Sequence, residues 1–171
     1  MISASSISTR ILTILTISVL LNSCFKAETY PNEPIISNAE VSISGTTALL
    51  KFDFTDGDGD IGLSDGQQSA PYDSSSYYHF NLYIEYFESD DNLGWVPGQA
   101  INGDTIVFTN RLEPIEFNGK AKGIKGVMEV EMDPFRNPSS AEADTIMYKI
   151  TLIDRALNIS NELETGAIVV P

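Results

Sequence analysis

The segment IMYKITL, residues 146–152, sets Ile146, Tyr148, Ile150 and Leu152 against Met147, Lys149 and Thr151. Successive side chains of an extended chain point to opposite faces, so a period of two predicts a strand with one buried side. The same spacing recurs outward from this segment. Ala39, Val41 and Ile43 alternate with Glu40, Ser42 and Ser44, and after a turn at Gly45-Thr46, Leu50, Phe52 and Phe54 alternate with Lys51, Asp53 and Thr55. Phe80, Leu82, Ile84 and Tyr86 form another row, and a shorter strand is expected over Thr105 to Phe108. Met128, Val130 and Met132 alternate with Glu129 and Glu131 until Asp133-Pro134, where proline removes a ladder donor. A last strand is expected between Asn161 and Val170. No stretch sustains a helical period and none repeats, so residues 35–171 read as one all-β domain, a sandwich of about seven strands.

Composition narrows the function classes. Of 171 residues 42% are hydrophobic, enough for a packed core, and 10 basic against 24 acidic residues give a net charge of -14. That balance opposes binding to phosphate backbones, so nucleic acid is not an expected partner. One Cys precludes an internal disulfide framework, and one His precludes a multi-histidine zinc site and disfavours a histidine-based triad.

The lone Cys has a different explanation. Residues 1–23 carry one basic residue, Arg10, then a mostly apolar run from Ile11 to Leu21, which is export-signal anatomy. Eleven residues at about 1.5 Å each are too short to cross a hydrocarbon core of about 30 Å. Leu21-Asn22-Ser23-Cys24 resembles a bacterial lipobox, which implies cleavage before Cys24 and its acylation. The alternative is an ordinary secretory signal followed by a free thiol, a liability in an oxidising compartment. On the lipobox reading, residues 24–34 are the acylated Cys and a flexible tether. Acyl chains then hold the protein on the cell envelope, with the outer membrane favoured, and no spanning segment is needed.

Beyond Tyr148, the segment running through Asp154, Asn158, Ser160 and Asn161 resembles the penultimate strand and final turn of fibronectin type III and bacterial immunoglobulin-like domains. Together with TDGDGDIG at 55–62, it is similar to a group of lipoproteins of Bacteroidetes-type bacteria. The resemblance implies a fold and a location but no activity. Leu157 stands where related domains often carry Gly.

Asp56-Gly57-Asp58-Gly59-Asp60 is the one concentrated chemical feature. Hard oxygen donors at alternate positions on a flexible loop suit Ca²⁺, with Asp65 as a further candidate ligand and Asp53 or Asp73 in reach if the loop folds back. An EF-hand is excluded, because Ile61 stands where its Gly is required and Gln67 where its bidentate Glu is required. The competing reading is a solvated turn made of ordinary turn residues. The loop from Asp56 to Ser76 is long enough to suggest function or mobility.

Nucleophile elbows, zinc-protease motifs and phosphate loops are missing from the sequence, and Glu129 with Glu131 is a chance-level carboxylate pair, so the chain is expected not to be an enzyme. Tyr72, Tyr77, Tyr78 and Trp95, in or beside loops, are candidate ligand-binding aromatics, although Trp95 equally reads as a cap on the core. The expected role is a structural or protein-interaction module of the cell envelope, with surface glycan binding as the alternative. Envelope proteins or polysaccharide are the corresponding partners.

Overall fold

The computed structural model describes residues 28–115, 123–140 and 143–170. The signal segment and Cys24 lie outside the described residues. Among the described residues nine strands run β1 (Ile35–Ser44), β2 (Thr47–Asp56), β3 (Leu82–Asp90), β4 (Gly94–Pro97), β5 (Val107–Asn110), β6 (Ile124–Met132), β7 (Thr145–Leu152), β8 (Leu163–Glu164) and β9 (Ile168–Val169). They form two antiparallel sheets. One has the order β1-β2-β6; the other has β4-β3-β7-β8, with β5 also on β3 and β9 also on β7. The chain crosses between the sheets after β2, β5 and β6, which makes an immunoglobulin-like sandwich.

The core lies where the predicted rows meet. Leu50, Phe52 and Phe54 of β2 face Leu82, Ile84 and Tyr86 of β3 and Ile146, Tyr148, Ile150 and Leu152 of β7, all buried. Burying side chains of this size contributes roughly 1.5–3 kcal/mol each. Tyr148 also carries a polar task in the interior: its hydroxyl donates to the carbonyl of Phe135, in the β6–β7 connection. A tyrosine tying its strand back to upstream backbone is a hallmark of this sandwich class.

Three departures from the sequence reading have physical causes. In β1, Ile36 is buried although it is out of phase with Val41 and Ile43. The pairing shifts between Ser37 and Glu40, where β1 uses three steps while β2 uses two, and Asn38 takes φ 56°. One extra residue therefore turns the alternation over. In the second sheet, β4 was not expected. It pairs with the far half of β3 while β5, two residues later than expected, pairs with the near half. The final strand is split into β8 and β9 by Gly166 at φ 73°.

The segment expected to be the end of a free tether is docked. Pro34 is buried and Tyr30 half-buried, and the carbonyls of Tyr30 and Pro31 sit so close to Gly57 that a Cβ there would collide with them. Glu28 pairs with Lys125 at 2.5 Å. Among the described residues no helix is long and apolar enough to cross a membrane.

Removing the Tyr148 hydroxyl leaves a buried carbonyl without its donor. Tyr148→Phe is expected to lower unfolding free energy by about 1–3 kcal/mol in urea titration, with a native circular dichroism spectrum. An unchanged midpoint would show that the hydroxyl contributes nothing.

Candidate functional site

β2 ends on Asp56, and the chain then makes its acidic turn at the pole where β1 begins and β7 ends. Asp56 is fully buried, with Oδ2 accepting from the Asp60 amide at 2.9 Å. Asp58 and Asp60 are half-buried on the same turn. The fourth member comes from the opposite sheet. Asp154, two residues past β7, bridges Ile61 and is 2% exposed. One carboxylate oxygen from each of Asp56, Asp58, Asp60 and Asp154 lies within 4.8 Å of the others.

The turn after β7 is built to present Asp154. Its Oδ1 accepts from the Asn158 amide and its Oδ2 from Asn158 Nδ2, both at 2.7 Å. Asp154's own amide donates to the Asn158 carbonyl, and the Leu157 amide donates to the Asp154 carbonyl. Closing this tight turn places Leu157 at φ 71°, the left-handed region where glycine is the usual occupant. The two loops are also laced together. Arg155 donates from its amide to the Asp60 carbonyl and from Nε to the Gly62 carbonyl, and the Tyr72 hydroxyl donates to the Arg155 carbonyl.

Asp65 does not join this cluster. Ile61 and Leu63, 0% and 3% exposed, are drawn into the core, and the Leu63 amide donates to the Leu112 carbonyl at 2.9 Å. These two apolar residues carry the chain away before Asp65, which is exposed on a separate turn. Asp53 lies elsewhere, accepting from Asn38 Nδ2, and Asp73 is occupied by Ser75. From sequence, Asp154 with Arg155 reads as a turn-closing hydrogen-bond or ion-pair device rather than a site. Asp154 closes its turn and is also a member of the cluster.

The electrostatics are unfavourable for four charges. Burial, reinforced by the neighbouring Asp58 carboxylate, pushes Asp56 up to about 6. Burial first, then Asp154 and Asp58, raise Asp60, with Arg155 opposing; burial also raises Asp154 against the hydrogen bonds from Asn158. Among the described residues, the ion pairs are Lys51–Glu129, Lys125–Glu28 and Lys149 with Glu162 and Glu164, and none reaches the cluster.

The candidate aromatics do not form one site. Tyr77, 53% exposed, stacks on Tyr83 at 4.7 Å and 13°, with Tyr78 edge-on at 5.5 Å. Tyr72 is engaged with Arg155, as described. Trp95 is 38% exposed and pairs with Ser89 on the outer face of its sheet, so it does not cap the core. Ser89 is six residues along β3 from Tyr83, about 20 Å at about 3.3 Å per residue. Tyr83, which the sequence reading left out, is the base of the aromatic stack.

No family model matches the chain, and no curated protein matches it.

A carboxyl group whose folded-state pKa exceeds the unfolded value of about 3.9 favours the fold at low pH, and that contribution is lost as pH rises through the folded pKa. Asp56→Asn removes such a group. In chelator-treated buffer, the unfolding midpoint of this variant is expected to fall less than that of the parent between pH 4.5 and pH 7. Superimposable pH profiles would show that Asp56 titrates normally.

Proposed function

We propose that the chain is a lipid-anchored module of the bacterial cell envelope that works by presenting a rigid binding surface and catalyses no reaction. The observation that carries this reading is the docking of residues 28–34 on the sandwich, through Pro34, the Tyr30–Gly57 contact and the Glu28–Lys125 pair. Cys24 precedes Glu28 by four residues, a reach of at most about 14 Å. With Cys24 acylated, the domain has no long leash; it stands close to the bilayer with its N-terminal pole toward it.

This geometry directs the opposite pole outward. There the β3–β4 connection exposes Leu93 (77%), and the β4–β5 connection, which leaves the sheet edge at mid-strand beside Tyr86, exposes Ile101 (92%). Between them runs a groove of about 490 Å³, with Glu88 and Asn137 among its polar lining residues. Large aliphatic side chains on projecting loops, beside a groove with a few fixed polar groups, suit a protein partner better than solvent.

Glycan binding is the second reading, favoured by the exposed face of Tyr77 held flat on Tyr83. The two readings separate experimentally. A photo-crosslinking residue at Ile101 captures an envelope protein under the first, whereas retardation in polysaccharide gels that Tyr77→Ala abolishes supports the second.

Anchoring has its own test. Cys24→Ala is expected to move the protein from the detergent phase to the aqueous phase in Triton X-114 partitioning; a variant that stays in detergent would overturn lipidation. Gly57→Val, which strikes the Tyr30 and Pro31 carbonyls, is expected to expose residues 28–34 to protease while the sandwich persists.

A further inference from the structure

Acidic side chains crowd together in many proteins without consequence, because solvent or neighbouring donors satisfy their oxygens. Here that relief is missing. Oδ1 of Asp56, of Asp58 and of Asp60 is shielded from solvent and meets no donor among the described residues. Asp56 is the decisive member: it is 0% exposed, its Oδ2 is taken by the Asp60 amide, and its Oδ1 is left with nothing but other carboxylates for company. Arg155, the cationic side chain laced into these loops, directs Nε to the Gly62 carbonyl and forms no ion pair with the cluster. A buried carboxylate oxygen left without a donor is costly for a fold to hold.

We propose that Asp56, Asp58, Asp60 and Asp154 bind one Ca²⁺ ion, which ties the end of β2 to the turn after β7 and thereby clamps the two sheets at the N-terminal pole. The span fits. Oxygens on opposite sides of a Ca²⁺ ion at about 2.3–2.6 Å are about 4.6–5.2 Å apart, and the four offered oxygens all lie within 4.8 Å of one another. The donor set discriminates as well. Ca²⁺ takes six to eight oxygens in flexible geometry, whereas Mg²⁺ typically accepts one or two carboxylates and keeps its waters. Four carboxylates from a glycine-interrupted turn and a second loop leave the remaining positions to carbonyl oxygens or water.

The topology gives the ion a structural task. Asp56 belongs to the three-stranded sheet, and Asp154 follows a strand of the other. With no disulfide available to the chain, the ion is a cross-link between the layers at one end of the core. Asp154 comes to the site already oriented by Asn158, so part of the ordering is complete before the ion arrives.

Equilibrium dialysis of the full chain in detergent with ⁴⁵Ca²⁺ at pH 7.5 is expected to give one bound ion per chain, and thermal unfolding to shift upward in Ca²⁺ and less in equal Mg²⁺. Asp58→Asn and Asp154→Asn are each expected to weaken binding at least tenfold, while Asp65→Asn leaves it unchanged. If Asp154→Asn does not fold, Asp58→Asn, on a half-buried side chain, decides. No retained Ca²⁺ in the folded parent, or parent-like affinity in Asp58→Asn, overturns the site. Hydrogen exchange separates binding from clamping: Ca²⁺ is expected to slow exchange at both 56–61 and 154–158, and slowing in the first segment alone overturns the clamp.

Discussion

The structure depends on the interlock of two apolar rows, one from β2 and β6, the other from β3 and β7. Among the described residues there is no α-helix, the one helical turn (Tyr77–His79) lies on the outer face of β3, and the chain has one Cys, so the inner faces of the layers have only each other. Phe52 and Leu50 on one side and Tyr86, Tyr148 and Ile150 on the other are the middle of that contact. Dense packing of this kind positions the strand ends without further instruction, and the ends in turn set where every loop begins. The acidic cluster exists because β2 and β7 stop at the same pole, one in each sheet.

At that pole, the polar groups divide into two kinds. Asn81, buried at the start of β3, copies a strand partner: Oδ1 accepts from the Leu112 amide at 2.6 Å and Nδ2 donates to the Leu112 carbonyl at 3.2 Å. Asn161 does the same for Ile36, with both bonds at 2.9 Å, and fastens the free edge of β1 to the other sheet. Ser160 completes Leu152. These side chains satisfy the backbone where ladders run out. Asp56, Asp58 and Asp60 have no such reciprocity, so one pole contains both reciprocally bonded side chains and three buried carboxylate oxygens without a donor among the described residues.

How much of this could be read from sequence differs by residue. The rows of β2, β3, β6 and β7 were legible because period-two alternation is a local property. The Asn38 bulge was not, since one added residue leaves both flanking patterns intact and shows only in the phase between Ile36 and Val41. Trp95 on β4 was ambiguous because an aromatic in Leu93-Gly-Trp-Val reads either as a cap on the core or as an exposed binding ring, and the edge strand that turns it outward was not expected. At the site, Asp56, Asp58 and Asp60 were visible as a spaced motif. Asp154 was hidden because a turn-closing role beside Arg155 already explained it, and its proximity to Asp60 arises only when β7 lies in the opposite sheet. Asp65 was grouped with them because sequence distance was short; in the structure it stands apart, since the apolar pair Ile61 and Leu63 pulls the chain into the core between them.

The interruptions in the strands have a consequence of a different sort. A sheet edge offers unpaired amides and carbonyls to any other strand it meets. Three of the four edges here are broken: β1 by its bulge, the β4–β5 edge by division into short pieces, and the β8–β9 edge by Gly166. The fourth, β6, runs unbroken for nine residues but carries Lys125, Glu129 and Glu131 on its outer side. Its charges do there what irregularity does elsewhere. The features that blurred the strand pattern are therefore the ones that keep neighbouring copies from adding strand to strand.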